Sequence, residues 1–310
     1  MKELATTIQV QENAIQGRHC LSTRALKKGA TILTGKPYAF GFTKSYAPFI
    51  CAWSLEKSEE IKYTVRCEHC KHVYYKGEAE KQHHAFWHAL ECEAFRKLPT
   101  LRWNTSYLML AKVILRAIIR KALENGLSPN KVKRMYGIQL PAPAKTIPHW
   151  LQDHQTWSNF HHLVSNEEQY GTLRFRAREN MGKKLIALLP EYIVNTAFRT
   201  GEEAFLEAAL SICKYECNCF GYFTDAGEQI GSGVIPAISF LNHSCEPNAD
   251  AMYYQIGGEI SVEALRPIRK GEEVNISYCE TKQAKAKRQA YLKFHYFFTC
   301  ACPKCQIKKR

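Results

Sequence analysis

The residues best equipped for chemistry lie in three segments far apart in the chain: Phe240-Leu241-Asn242-His243-Ser244-Cys245, Tyr278, and Cys300-Ala301-Cys302-Pro303-Lys304-Cys305. The last supplies three thiolates in a Cys-x-Cys-x2-Cys run, and tetrahedral zinc takes four ligands. Cys245 is the expected fourth, which would pin the C-terminal segment beside Asn242 and His243. An amide offers donor and acceptor together, an imidazole a planar contact and a hydrogen bond, and a phenol an O–H. A second cluster is Cys67-x2-Cys70 followed by His88 and Cys92. Three thiolates and one imidazole make a complete structural zinc set, worth on the order of 10 kcal/mol to local folding. The chain has thirteen cysteines, an odd number, with seven in these clusters; two zinc ions explain that better than disulfides. Cys20, Cys51, Cys213, Cys217, Cys219 and Cys279 read as scattered buried thiols.

The elements that must position these residues are legible in part. Residues 8 to 50 read as short strands and turns. His88 and Cys92, at i and i+4, fall on one face of a helix. Apolar residues recur at helical spacing from about 101 to 125, and Gly126 with Pro129 ends that run. Pro141, Pro143 and Pro148 predict a surface loop. Thr200 with Glu203 predicts a capping box opening a helix through Cys213. After Asn218 the pattern turns to strands, with a hairpin from Met252 to Ala264 turning at Gly257-Gly258, and residues 281 to 294 read as helix. Two segments echo each other: Arg24-Ala25-Leu26-Lys27-Lys28-Gly29 and Arg266-Pro267-Ile268-Arg269-Lys270-Gly271, each a charged turn before a strand. Strands at both ends and helices between predict an α+β fold, not a βαβ alternation.

The string Asn242-His243-Ser244-Cys245-Glu246-Pro247-Asn248, with Tyr278 and the closing cysteines, resembles the C-terminal half of a SET domain, the fold of protein lysine methyltransferases. Residues 67 to 98 resemble half of a MYND zinc finger, and a MYND finger inserted in a SET domain is the arrangement of the SMYD family. The resemblance implies a SET β-fold of small sheets with a pseudoknot-like core. It implies an N-terminal SET part (1–50), the finger (67–98), a helical insert (99–213), a C-terminal SET core (214–280) and a post-SET zinc segment (281–310). S-adenosylmethionine is then the implied cofactor, held by Gly17, Arg18 and His19, by Asn218, Asn242 and His243, by Tyr278, and by Phe298 against the adenine. Tyr278 takes the place of the catalytic tyrosine, and Phe220 and Tyr296 line the lysine channel. The implied metal ligands are Cys67, Cys70, His88 and Cys92 in one site and Cys245, Cys300, Cys302 and Cys305 in the other.

The chain departs from the family pattern in places. His19 stands where a second glycine is expected, and glycine serves where backbone takes positive φ or approaches a ligand. Lys76 and Glu80 replace two cysteines of the finger's other site, so one zinc is expected where a full finger binds two. His69, His72, His83 and His84 read as surface histidines. The chain ends at Arg310 without the helical C-terminal domain of many family members, which predicts a more open substrate cleft.

Composition bounds the remaining choices. The 310 residues carry a formal charge of +14, which favours acidic partners in general. Lys282, Lys285, Lys287 and Arg288 read as a solvated helix face. The most apolar segment, Tyr107 to Ile119, is interrupted by Lys112 and Arg116, which excludes a membrane span. The N-terminus lacks an apolar signal core, so the expected location is cytoplasm, nucleus or both. The expected activity is protein-lysine N-methylation of a histone or another protein, by a monomer with possible chromatin association. The alternative is an inactive SET adaptor that binds peptides. A zinc-dependent nucleic-acid binder ranks last, because the zinc sites carry no groove-reading helix pattern.

Overall fold

The computed structural model describes residues 7–13, 17–151, 155–253 and 258–307. They form two compact units, and the chain starts in the first, builds the second, and returns. The first takes in the described residues of Met1–Gly35, Pro236–Tyr254 and Glu259–Arg310; the second those of Lys36–Ile235 and Gln255–Gly258. Small sheets mixed with helices make an α+β fold, as expected.

The first unit opens with β1 (Ile8–Asn13), β2 (Gly17–Ser22) and β3 (Thr31–Gly35). The second follows with β4 (Ala39–Phe42), β5 (Val65–Arg66), β6 (Tyr74–Tyr75), α1 (Glu78–Lys97), α2 (Thr105–Glu124), α3 (Pro129–Tyr136), α4 (Trp157–His161), α5 (Gly171–Ile186), α6 (Glu191–Ala197), α7 (Gly201–Asn218), β7 (Cys219–Phe223) and β8 (Gln229–Val234). The return adds β9 (Asn242–His243), β10 (Ala249–Tyr253), β11 (Ile260–Ala264), β12 (Asn275–Ile276), α8 (Lys285–Tyr296) and α9 (Pro303–Gln306).

The core of the second unit is α2 lying against the edge strand β4 of the β4-β8-β7 sheet. Asn104 caps α2, its side chain accepting from the Tyr107 N–H. The apolar stripe also carries cations. Lys112 Nζ donates to Phe42 O at 2.8 Å, Arg116 to Phe40 O at 3.0 Å and Arg120 to Tyr38 O at 2.9 Å. Four helical residues rise about 6 Å and two strand residues about 6.7 Å. Cations at i, i+4 and i+8 therefore match every second carbonyl along the strand. This satisfies an edge that would otherwise bury unpaired acceptors. Gly41 permits the approach, since a Cβ there would lie 2.5 Å from Met109 O. The prolines at 141 and 143 lie in an exposed loop, but Pro148 is buried. The Thr200 hydroxyl caps Glu203 N–H as expected, yet the Glu203 carboxylate accepts from Arg199 N–H, one residue before the capping-box partner.

In the first unit the two echoing segments pair with each other. Leu26 and Ile268 exchange backbone hydrogen bonds of 2.8 and 3.0 Å, and Gly29 and Gly271 both take φ of +78°. The expected hairpin strands form as β10 against β11, with β3 on the other side of β11; of the expected Gly257-Gly258 turn, Gly257 lies outside the described residues.

Candidate active site and metal centres

The first cluster is assembled in the second unit from the end of β5 and from α1. Lys71 takes a left-handed conformation (φ +59°) and folds the Cys67–Cys70 turn back on itself. The ligand atoms of Cys67, Cys70, His88 and Cys92 all lie within 4.8 Å of one another. His88 Nε2 faces Cys70 Sγ at 3.5 Å, and Nδ1 faces Glu91 Oε1 at 3.2 Å. A carboxylate behind an imidazole fixes the tautomer that presents the other nitrogen to a metal. Glu91 is gripped in turn by Arg116 at 2.6 and 3.0 Å. Burial alone would raise the Glu91 carboxyl, but Arg116 and His88 outweigh it and hold the group well below the usual carboxylate range.

Two nearby histidines correct the surface reading. His69 and His83 are exposed, but His72 is half-buried and His84 is 2% exposed. The His84 ring stacks on His88 at 6.0 Å, with Nδ1 3.3 Å from the Tyr75 hydroxyl. Burial lowers its pKa to about 3, so this imidazole is neutral. At the altered finger positions, Lys76 pairs with Glu56 at 3.0 Å.

The second cluster lies in the first unit. Cys245, Cys300, Cys302 and Cys305 also place their sulfurs within 4.8 Å of one another. Gln289 clamps Cys300 by both backbone groups, at 2.7 and 2.9 Å. Arg288 departs from the expected solvated face. Lys282, Lys285 and Lys287 are exposed, but Arg288 is 4% exposed and donates to Cys245 Sγ at 3.2 Å and Cys305 Sγ at 3.5 Å. The helical spacing 288, 292, 296 could have revealed it, because Leu292 and Tyr296 share its face.

Beside this cluster, β9 and β12 pair in parallel, Asn242 opposite Asn275 and His243 opposite Ile276. That register carries Tyr278 to His243. The Tyr278 N–H donates to His243 Nδ1 at 2.9 Å and its hydroxyl to Leu241 O at 2.5 Å. His243 Nε2 lies 3.2 Å from Cys245 Sγ. Both ring nitrogens thus have partners inside the protein. Burial lowers the His243 pKa to about 4, with Arg288 adding to the effect. Tyr278 packs on Tyr296 at 4.8 Å, and Phe298 lies 6.0 Å from His243. Phe297 makes this possible: its left-handed conformation (φ +62°) ends α8 and turns Phe298 back.

The amide of Asn242 reaches the N-terminal segment, donating to Arg18 O at 3.0 Å and to Glu273 Oε1 at 3.3 Å. Gly17 has φ of +63° and nothing within 4 Å of where a Cβ would stand. His19 is buried in β2 with Nδ1 3.0 Å from Gly17 O, and it is not among the residues of positive φ. Its position therefore makes no conformational demand for glycine. Asn218 and Phe220 belong to the second unit, where Asn218 donates to Lys214 O at 2.7 Å and Val164 O at 2.8 Å.

The SET domain family model matches residues 17–279. The chain belongs to the SET domain family. Relatives of this SET-domain chain include a SET and MYND domain-containing protein of Dictyostelium discoideum, 27% identical over 96% of this chain and 59% of its own length. The histone-lysine N-methyltransferases ASHR1 of Arabidopsis thaliana (25% identical; 94% of this chain, 53% of its own length) and SMYD3 of Mus musculus (23%; 99% and 63%) also match. The chain thus spans about three-fifths of the length of these relatives. The solved SET domain of LSMT bound to lysine and AdoHcy covers 96% of this chain and 53% of its own, at 13% identity and a TM-score of 0.44. The SET-domain chain is SMYD-like: a SET domain holding a cysteine-histidine cluster at the place of a MYND finger. No helix among the described residues is long and apolar enough to cross a membrane.

Proposed function

We propose that this SET-domain chain is an S-adenosylmethionine-dependent protein-lysine N-methyltransferase, acting on a histone or another lysine-bearing protein. The observation that supports this most is the meeting of Asn242, His243, Tyr278, Tyr296 and Phe298 in one unit, with Gly17 and Arg18 joined to them through Asn242. The open space at Gly17 and the ring surfaces of Phe298 and Tyr278 suit a nucleoside with a charged tail. S-adenosylmethionine, when bound there, supplies an electrophilic methyl group on a sulfonium. The roles of Asn218 and Phe220 are proposed on the family resemblance alone.

The work left to the protein is positioning and proton control. A protonated lysine has no lone pair, so the amine must lose its proton before attack. A narrow channel that strips water from the amine disfavours the ammonium form and lowers its pKa, and Tyr278 and Tyr296, whose rings pack at 4.8 Å, would form part of its wall. Holding nitrogen, methyl carbon and sulfur in line supplies much of the rate. The Tyr278 hydroxyl donates its proton to Leu241 O, which leaves the lone pairs of its oxygen as acceptors that would orient the amine N–H. Each four-donor cluster fits zinc by its sulfur and nitrogen donors. Zinc at Cys245, Cys300, Cys302 and Cys305 would brace Tyr296 and Phe298 through α8. Histone methylation would require entry to the nucleus and contact with chromatin; other substrates would allow cytoplasmic action.

The test is purified protein with labelled S-adenosylmethionine, core histones and a cell extract, run beside Tyr278→Phe. The expected result is label on protein that the variant loses while still binding the cofactor. Cofactor binding with no transfer to any protein would overturn catalysis and favour the adaptor.

A further inference from the structure

We infer that Arg288 governs how firmly the C-terminal cysteine cluster keeps its metal, by offsetting negative charge on Cys245 and Cys305; this rests on that cluster being a zinc site. Four thiolates around a divalent ion leave a formal charge of −2, against −1 for the three-thiolate, one-imidazole cluster. Buried charge is costly unless paired. Cys245, Cys300 and Cys305 are all buried, and so is Arg288. Its guanidinium reaches two of the four sulfurs from separate nitrogens, and its third contact is the Gln283 carbonyl. Both sulfur contacts are made by the charged guanidinium, so its charge is directed at Cys245 and Cys305. A planar fork can serve two acceptors at once, which an ammonium serves less well. The first cluster is braced differently: Arg116 reaches it through Glu91 and His88. The two centres of one chain should therefore respond separately.

The experiment measures zinc release from the full chain to a chromogenic chelator, with total zinc counted by mass spectrometry. Wild type, Arg288→Met, Arg288→Lys, Arg288→Gln and Gln289→Ala are compared. The wild type is expected to hold two zinc ions. In Arg288→Met one of the two should leave at least about tenfold faster, in line with losses at metal-supporting residues, while the other keeps its wild-type rate. Arg288→Lys should fall between. Gln289→Ala, which loosens Cys300 without changing charge, should move release less than Arg288→Met does. If Arg288→Met fails to fold, the Gln and Lys variants decide: Gln keeps a donor without the charge and should release faster than Lys. Equal release from folded Gln and Lys variants, or unchanged release in Arg288→Met, would overturn the role of Arg288. A wild type without zinc at this cluster would overturn the metal-site reading instead.

Discussion

Glu91 is a carboxylate 4% exposed and held between His88 and Arg116. Removing one member of a buried pair leaves the other charge uncompensated, which costs about 3–5 kcal/mol. Glu91→Ala should lower unfolding free energy by that order in urea titrations. It should also weaken metal at the first cluster about 10–100-fold, with the second cluster unaffected. Sequence spacing singled out His88 and Cys92 as metal donors to expect, and the structure brings them together, but spacing gave no hint of the chain behind them. Arg116 is distant in sequence, and only packing brings it to Glu91. Likewise His84 looked like one more surface histidine in a polar stretch, and the fold buries it against His88.

At the scale of elements, the contact of α2 with β4 is the one to break. Gly41→Ala would force a Cβ against Met109 O and should cost about 1–3 kcal/mol as overpacking, read as a lower thermal midpoint. Lys112 offers a pH test. Burial, with Arg116 nearby, lowers its pKa to about 8 from 10.5. The unfolded chain therefore binds more protons between those values, and stability must rise with pH there. Wild type should gain stability relative to Lys112→Met from pH 8 to 10.5, by an amount on the order of a few kcal/mol. A difference that stays flat over that range would mean Lys112 is not held in a low-dielectric site. The helix itself was readable from apolar periodicity. The cations in its stripe were readable only as breaks in hydrophobicity, because their partners are backbone carbonyls, which leave no trace in residue types.

For the whole molecule, metal content is the simplest check. Mass spectrometry should find about two zinc ions per chain, one per four-donor group. Stripping them with a strong chelator should lower the thermal midpoint and abolish methyl transfer together. A third ion would overturn the expectation that Lys76 and Glu80 leave the finger with a single site. The α+β class, the two ligand sets, the hairpin strands and the Asn242–Tyr278 constellation were legible because each depends on local spacing or a dense motif. Residues 99–213 were legible only as helical, since the packing of α5, α6 and α7 depends on contacts between distant segments.

What the sequence determined by itself was which atoms are present for chemistry: seven thiols and one imidazole in two spaced groups, a phenol, an amide and a further imidazole. Tertiary structure decided the supporting cast. It turned Arg288 from solvent onto two sulfurs, spent both nitrogens of His243 inside the protein, and set His19 in an extended strand where no glycine is required. The reason is that ligand type and spacing are written along the chain, whereas burial and hydrogen-bond partnership exist only between segments that folding brings together.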